Sequence, residues 1–342
     1  MSPNNLLTIS QLKKRLNKLP RLNIGHLPTP LDYCKNLTKT LNGPKIFIKR
    51  DDCTGITFGG NKVRHNQFLM GKVLEQGFDS YINVMDWRSN NARLAAAFCN
   101  LLNIDYHLVL RGGENKPIQG NLLIYNLLKA NIYPQKSSEA EKAFEFARNL
   151  QAKLTSKGKK PFLAQDQAYS KIAGILGYLY AAIEIHEQLE RIGCSEVHFF
   201  SVVGRSLAGL ALAAKNLGFP WKFTGIEITK EFTPKEYVFN KDSVGSVVSL
   251  LNLPQTINEN EITVLDAFVG KEYGDVTEDS KNAVHLLAQT ESIIIEPNYT
   301  GKALAGLIHQ IKSKKINSNE RIIFLHTGGT PSLFLYNKEL IS

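Results

Sequence analysis

The sequence predicts an α/β fold, in which parallel sheets are covered by helices. Short runs rich in β-branched and aromatic residues alternate with longer helical patterns. Alternation of this kind is typical of parallel sheets with helices on both faces. The chain has 342 residues, of which 43% are hydrophobic and 21% charged. This length and balance allow two compact globular lobes.

Seven strands are predicted, at residues 46–49, 81–84, 106–110, 196–201, 223–226, 292–295 and 321–325. The helices between them are predicted near residues 61–77, 89–102, 119–129, 138–157, 170–192, 205–217, 277–289 and 301–314. Sheets of this class bind ligands at the carboxyl ends of their strands, where a loop enters a helix. We therefore expect the functional residues in the strand-to-helix turns.

Composition and the N-terminus favour a cytoplasmic protein. The net charge of +10 comes from 41 basic and 31 acidic residues spread along the whole chain, and no nucleic-acid-binding motif accompanies them. The four cysteines lie far apart, so we expect reduced thiols and no metal site. No apolar run approaches the length of a membrane span. We expect neither a nucleic-acid partner nor a membrane.

The turn after the first predicted strand contains a glycine pair followed by a lysine. Gly59 and Gly60 let the backbone come close to a ligand, and Lys62 falls in the first turn of the next helix. The helix dipole disfavours a positive charge there, which would lower the pKa of the lysine and favour a nucleophile. Spacing alone favours an ordinary solvated lysine, so the nucleophile hypothesis depends on the other turns.

Three other strand ends carry small and polar residues. Ser89, Asn90 and Asn91 place a hydroxyl and two amides over a helix N-terminus, which could bind an anion or simply cap the helix. The small-residue turn 203–207 could hold a phosphate on its backbone N–H groups. The last two turns, 296–303 and 326–331, carry hydroxyls and glycines, and each could be an ordinary cap.

Taken in order, these segments resemble the fold-type II pyridoxal-phosphate enzymes, in particular the family of D-cysteine desulfhydrases and 1-aminocyclopropane-1-carboxylate (ACC) deaminases. The segments that carry the resemblance are 27–31, 48–52, 59–62, 89–90, 120–123, 176–178, 208–210, 299–306 and 324–331. They are spread over nearly the whole chain. The resemblance implies a tryptophan-synthase-β-like fold with pyridoxal 5′-phosphate in the cleft between two three-layer lobes. It places residues 1–63 and 175–342 in a large lobe and residues 64–174 in a small lobe, and it implies a homodimer.

The resemblance also implies a role for individual residues. Lys62 would form a Schiff base with the cofactor and then move protons at the substrate Cα. Tyr273 and Tyr299 match the two active-site tyrosines of the family, although each could be a packing residue. The cofactor would be bound by Lys62, Asn90, Val203, Gly204, Arg205, Ser206, Leu207, Thr300 and Thr327. The small amino-acid substrate would be bound by Ser89, Asn90, Asn91, Tyr273 and Tyr299.

Thr300 favours the desulfhydrase branch, because deaminases of the family have glutamate after the motif tyrosine. A hydroxyl from Thr300 or Thr327 cannot keep the pyridine nitrogen protonated, which favours β-elimination over transamination. We therefore expect a lyase that converts D-cysteine or a relative to pyruvate, ammonia and sulfide. The alternatives are ACC deamination, another lyase or racemase activity, and a non-catalytic module that binds the cofactor or an amino acid.

Three departures from the family pattern surround the predicted pocket. Gln-Ser-Asn-His is replaced by Arg88-Ser-Asn-Asn91, and the phosphate loop carries Arg205. The segment 167–171 replaces a Gly-Gly-Ser-Asn turn and is predicted to fill space beside the substrate. Together they suggest an altered substrate specificity.

Overall fold

The computed structural model describes residues 6–230, 238–239 and 241–341. The strands are β1 Leu31–Tyr33, β2 Lys45–Arg50, β3 Ser80–Asp86, β4 Asp105–Arg111, β5 Asn131–Pro134, β6 Pro161–Leu163, β7 Val197–Val202, β8 Trp221–Ile226, β9 Thr263–Leu265 and β10 Arg321–His326. The helices are α1 Ile9–Leu16, α2 Lys35–Leu41, α3 Lys62–Glu75, α4 Asn90–Leu101, α5 Gly120–Leu127, α6 Ala140–Ser156, α7 Ala168–Arg191, α8 Arg205–Leu217, α9 Ser246–Leu251, α10 Glu278–Glu291, α11 Thr300–Lys312, α12 Thr330–Leu333 and α13 Asn337–Ile341. The predicted α/β class is confirmed.

Six strands form a large sheet in the order β1-β2-β10-β7-β8-β9. Strand β1 is antiparallel to β2, and the other neighbours are parallel. The central strand β10 is buried from Ile322 to His326, because helices cover both faces of a parallel sheet. The carboxyl ends of β2, β7 and β10 therefore open on the same edge, and this edge carries three of the predicted turns.

Four strands form a separate, wholly parallel small sheet in the order β5-β4-β3-β6. All four lie within residues 80–163. The turn from β3 into α4, which carries Ser89 and Asn90, leaves the carboxyl edge of this sheet. A sheet does not itself define a domain boundary. The extent of the small lobe, residues 64–174, therefore stays a proposal.

The strand predicted at 292–295 is wrong. Ser292 ends α10 in the left-handed conformation, with φ of +55°, and residues 292–296 form no ladder. The carbonyl of Ile294 instead accepts a hydrogen bond from the His326 ring at 3.1 Å. The apolar run is therefore an irregular segment that packs beside the sheet without joining it.

Close helix packing supports the lysine-bearing helix from behind. A Cβ on Gly177 of α7 would lie 2.7 Å from the carbonyl oxygen of Arg64, and one on Gly209 of α8 would lie 2.6 Å from that of Ile175. Helices α3, α7 and α8 can pack this closely only because glycine lacks a side chain. Within the described ranges, no helix has the length and apolarity needed to cross a membrane.

Candidate active site

The turn from β2 into α3 is shaped by its two glycines. Gly59 and Gly60 have φ of +62° and +127°. A Cβ on Gly59 would lie 1.9 Å from the carbonyl oxygen of Asp52, so no other residue fits there. Arg93 of α4 donates to the Gly59 carbonyl at 3.1 Å, and this bond ties the turn to the small sheet's helix layer. The turn delivers Lys62 as the first residue of α3.

Lys62 has the perturbed pKa that the sequence predicts, but for other reasons than the helix dipole. Burial lowers its pKa from 10.5, and the positive charge of Arg205 adds to this, to about 8. Its ammonium makes no hydrogen bond or ion pair with the described residues. At pH 7 about a tenth of such lysines are neutral, against about one in three thousand for an ordinary lysine. Lys62 can therefore act as a nucleophile near neutral pH.

His65 was missed by sequence reasoning, although it lies one helical turn after Lys62. It is 6% exposed, and neither ring nitrogen has a hydrogen-bond partner within the described part of the chain. Burial and the charges of Lys62 and Arg205 hold its pKa well below the ordinary value. Among the residues that the structure describes, the charges that shift the pKa values of Lys62 and His65 are positive, so this pocket favours an anion.

The predicted phosphate loop lies against this pocket. A Cβ on Gly174 would lie 3.2 Å from Arg205 Cβ and 3.7 Å from His65 Nδ1, so these side chains are neighbours. Ser206 and Leu207 lie in the first turn of α8, where backbone N–H groups have no intrahelical acceptor. The N–H of Val203 donates to the Ile226 carbonyl at 3.0 Å and cannot serve a ligand. The available donors therefore begin at Gly204, the residue that caps α8.

A chain of hydrogen bonds joins the lysine turn to the phosphate loop. The Asn61 amide donates to Ser206 Oγ at 3.0 Å. Ser206 is also hydrogen-bonded to the Tyr178 hydroxyl, which donates to the buried carboxylate of Asp51. This chain of hydrogen bonds holds the phosphate loop and the lysine turn in a fixed relative position.

The chain of hydrogen bonds ends at Asp51, which belongs to a buried network of two cations and two anions. The Arg64 guanidinium donates two hydrogen bonds of 2.9 Å to Asp51 and two of 2.8 and 2.9 Å to Glu184. Lys49 Nζ lies 2.5 Å from Glu184 Oε1 and also donates to Gln188. The charges balance and the donors are satisfied, as buried charges require. The network anchors α3 on β2 and α7.

Ser89 and Asn90 meet the large sheet across the cleft. Ser89 Oγ accepts from the Ala92 N–H at 3.2 Å, so it caps α4, and its hydroxyl proton remains available. Asn90 Oδ1 accepts from Asn121 at 2.9 Å and from Ser332 at 3.2 Å. Its Nδ2 is thereby turned towards the 327–329 turn. Asn90 can donate to an oxygen bound in front of that turn.

The 327–329 turn lies beside the lysine turn. The Thr327 carbonyl accepts from the Asn61 N–H at 3.0 Å, and a Cβ on Gly328 would lie 2.6 Å from Gly60 Cα. Thr300 Oγ1 donates to the Gly328 carbonyl at 3.1 Å. The predicted residues Thr300 and Thr327 are therefore close to Lys62, as the resemblance implies.

Glu296 is a second residue that sequence reasoning missed. It is fully buried and accepts from the backbone N–H groups of Asn298, Tyr299 and Thr300 at 2.7–3.1 Å. Burial raises its pKa to about 7 despite these bonds. Glu296 fixes the start of α11 and with it Tyr299.

The two predicted tyrosines meet, although they are 26 residues apart in sequence. The hydroxyls of Tyr273 and Tyr299 are hydrogen-bonded to each other, and their rings pack edge to face. Burial raises the pKa of Tyr273 to about 12 and that of Tyr299 well above its ordinary value. The pair is therefore protonated at neutral pH, and its hydroxyls can act as hydrogen-bond donors.

The loop that carries Tyr273 is held by one side chain from α11 and one from the segment just before α11. Lys302, which is fully buried, donates to the Val269 carbonyl at 2.5 Å. Asn298 Oδ1 accepts from the Gly274 N–H at 3.1 Å. Neither contact is visible in the sequence, since both connect segments that are more than 20 residues apart.

In the segment 167–171, which is predicted to fill space beside the substrate, Tyr169 lies near Lys72 of α3. Its ring lies 6.0 Å from Lys72 Nζ. Lys72 is ten residues beyond Lys62 on α3, a distance of about 15 Å along the helix. Asn91, by contrast, follows Asn90 in the first turn of α4. Of the departures around the pocket, Arg88 and Arg205 therefore remain close to the predicted site.

Comparison with known proteins identifies the family. Residues 22–328 match the family described as pyridoxal-phosphate dependent enzyme. The chain belongs to this family. Pyridoxal 5′-phosphate is accordingly its cofactor, and the predicted fold type and enzyme class are confirmed.

The chain is similar over nearly its whole length to two kinds of relatives. It is 33% identical to a D-cysteine desulfhydrase of Klebsiella pneumoniae, over 96% of this chain and 99% of the relative. It is 32% identical to a putative ACC deaminase of Pyrococcus furiosus, over 97% and 98%. A crystal structure of an ACC deaminase homologue superposes with a TM-score of 0.84 at 27% identity, and covers 100% of this chain and 99% of its own. Threonine deaminase isoform 2 from Solanum lycopersicum shares the fold, with a TM-score of 0.67 at 18% identity over 98% of this chain and 90% of its own.

Proposed function

We propose that this pyridoxal-phosphate enzyme is a lyase that eliminates the β-substituent of a small amino acid, with D-cysteine as the leading candidate. D-Cysteine and one water would give pyruvate, ammonia and hydrogen sulfide. The observation that carries the proposal is that Lys62, with its lowered pKa, and the protonated Tyr273–Tyr299 pair lie on two segments joined through the 327–329 turn. Thr300, next to Tyr299, bonds to the Gly328 carbonyl, and Gly328 packs against Gly60 of the lysine turn. One group accepts a proton near neutral pH and the other donates one.

The residues around Lys62 fit the cofactor. Its phosphate would be held by the first-turn N–H groups of α8 and by Arg205, beside the unpartnered nitrogens of His65. Its ring would lie against the 327–329 turn, whose glycines leave room for a planar group. Asn90 would donate to the ring hydroxyl. The bound cofactor supplies an electron sink for negative charge at the substrate Cα.

The side chains divide the remaining work. Lys62 would bind the cofactor covalently and remove the Cα proton, and the lowered pKa of its amine favours both roles. Ser89 and Asn91 would bind the substrate carboxylate at the N-terminus of α4, where the helix dipole favours an anion. The Tyr273–Tyr299 pair would deliver a proton to the leaving sulfur.

Elimination is favoured over ring opening of ACC by Thr300. A hydroxyl bonded to the Gly328 carbonyl occupies the position after Tyr299, where the deaminase branch has a carboxylate. The similarity to a putative ACC deaminase keeps ACC as the second candidate substrate. A direct comparison of the two substrates decides between them.

We further propose a cytoplasmic homodimer. The four cysteines are free thiols, as expected in a reducing compartment. Several large apolar side chains are more than three-fifths exposed, among them Ile118, Leu127 and Phe334, and a second copy could cover such groups. Light scattering of the purified protein at several concentrations tests the assembly; a monomer at all of them would contradict it.

The test of function is pyruvate release from D-cysteine, L-cysteine, β-chloro-D-alanine and ACC by protein loaded with the cofactor. We expect the D-configured β-substituted amino acids to react fastest and K62A to be inactive. K72A is the matched control, because Lys72 lies on the same helix but is far from the cleft. ACC turnover above that of every β-substituted amino acid would select the deaminase function instead. Binding of cofactor without any turnover would indicate a non-catalytic module.

A further inference from the structure

Arg88 is anchored firmly on the small-sheet side of the cleft. Its Nε lies 2.9 Å from Asp86 Oδ1, and its Nη2 lies 3.2 Å from Asp86 Oδ2. The Arg88 carbonyl accepts from Asn121 Nδ2 at 2.7 Å. A two-pronged contact of this kind fixes the plane of the guanidinium as well as its position.

The opposite side of the guanidinium contacts the loop from the large-sheet side. Arg88 Cζ lies 4.9 Å from the centre of the Tyr273 ring, which is cation–π geometry. A Cβ on Gly274 would lie 2.1 Å from Arg88 Nη1. Gly274 has φ of +93°, so glycine is needed both for its backbone and for the space that Arg88 fills.

Lys302 and Asn298 restrain the main chain of the Tyr273 loop, whereas Arg88 and Tyr299 contact the Tyr273 ring itself. Lys302 and Asn298 hold the loop at Val269 and at the Gly274 N–H. They leave the ring free to rotate about its side-chain torsions. The ring must be fixed for its hydroxyl to stay bonded to that of Tyr299.

We propose that Arg88 is a positioning residue that holds the Tyr273 ring in the orientation that pairs its hydroxyl with Tyr299. The proposal rests on the proposed catalytic role of Tyr273. It gives a specific role to one of the residues that depart from the family pattern. Asp86, which holds the guanidinium, and Gly274, which leaves space for it, would contribute to the same positioning. Because the guanidinium is held by Asp86 and lies against the Tyr273 ring, we expect its loss to act through Tyr273.

The first experiment is a double-mutant cycle between R88Q and Y273F in the cofactor-loaded enzyme. We expect R88Q to lower kcat about tenfold, as expected for a misplaced catalytic group, with KM changed less than about twofold. R88K, which keeps the charge but loses the fork, should fall between. In the Y273F background R88Q should have no further effect. An equal loss of kcat in both backgrounds would overturn the proposal.

A second measurement does not depend on turnover. 3-Fluorotyrosine placed at position 273 reports the ring environment by ¹⁹F NMR. We expect one sharp resonance in the parent holoenzyme and a shifted, broadened one in the R88Q holoenzyme. An unchanged resonance would overturn the proposal. If Y273F alone leaves kcat unchanged, the catalytic role of Tyr273 fails, and the resonance still decides whether Arg88 holds the ring.

G274A provides an independent perturbation of the contact between Arg88 and the Tyr273 loop. Its new methyl group would displace the guanidinium in the parent but would meet no arginine in the R88Q protein. We therefore expect G274A to lower kcat more in the parent than in R88Q, and R88K to retain more activity than G274A. A G274A enzyme with the parent's kcat and ¹⁹F resonance would refute the role of Arg88.

Discussion

Replacing Lys62 by methionine should stabilise the cofactor-free protein while abolishing its activity. Burial and Arg205 lower the pKa of Lys62 from 10.5 to about 8, so the folded state binds its proton less tightly than the unfolded state. This difference corresponds to about 3 kcal/mol. The charged lysine therefore destabilises the fold by up to about 3 kcal/mol below pH 8.

The sign of the effect determines its pH dependence. Because the unfolded lysine keeps its proton until about pH 10.5, the penalty shrinks as the pH rises from 8 to 10.5 and is absent above that range. Urea unfolding of the parent and K62M proteins without cofactor, at pH 7, 8.5 and 10, measures it. We expect K62M to be more stable by up to about 3 kcal/mol at pH 7, with the difference falling to about 1 kcal/mol at pH 10. A difference that is independent of pH, or a less stable K62M at pH 7, would refute the reasoning.

Three other side chains around the cleft give separate predictions. Y178F breaks the link between Asp51 and Ser206, so it should lower the free energy of unfolding by about 1–3 kcal/mol and weaken cofactor binding; urea denaturation that matches the parent would contradict this. H65L should weaken cofactor binding about tenfold, while H65Q keeps most of it, in absorbance titrations with pyridoxal phosphate; equal affinity of H65L and the parent would remove His65 from the site. E296A leaves three N–H groups at the start of α11 without their acceptor, so thermal unfolding should report a loss of about 1–2 kcal/mol, and kcat should fall; a stable, fully active E296A would be inconsistent with its capping role.

The sequence predicts the location of the site because the topology determines it. Parallel strands direct their carboxyl ends to a common edge, so the turns at Lys62, Ser206 and Thr327 had to come together once the strands were correctly placed. The glycine pair before Lys62 gave the position of the closest backbone approach. Tyr273 and Tyr299 were found only through the family resemblance, since their pairing depends on a loop of irregular structure.

Residues that act through long-range contacts could not be predicted. Tyr178 and Asp51 are 127 residues apart, and Lys302 reaches a carbonyl 33 residues away. Periodicity gives the face of a helix but not the identity of its neighbour. The sequence does contain an indication of two other site residues. His65 lies one helical turn after Lys62 on the same face, and Glu296 is an acidic residue just before a helix N-terminus.

The strand predicted at 292–295 shows that an apolar composition alone does not identify a strand. Its apolar residues resemble those of a buried strand, but Ser292 leaves α10 in a left-handed conformation and Ile294 bonds to His326 outside the ladder. Propensity reports that such a segment is extended. Whether it joins a sheet depends on the edges that are available to it.

The central claim, that Lys62 holds the cofactor, is tested most directly by borohydride reduction of the protein loaded with pyridoxal phosphate, followed by mass spectrometry of its peptides. We predict that the reduced cofactor is attached to the peptide that contains Lys62, and that K62A carries none while K72A carries the same amount as the parent. Cofactor attached to another lysine, or an unmodified Lys62 peptide in protein that has bound the cofactor, would contradict the account.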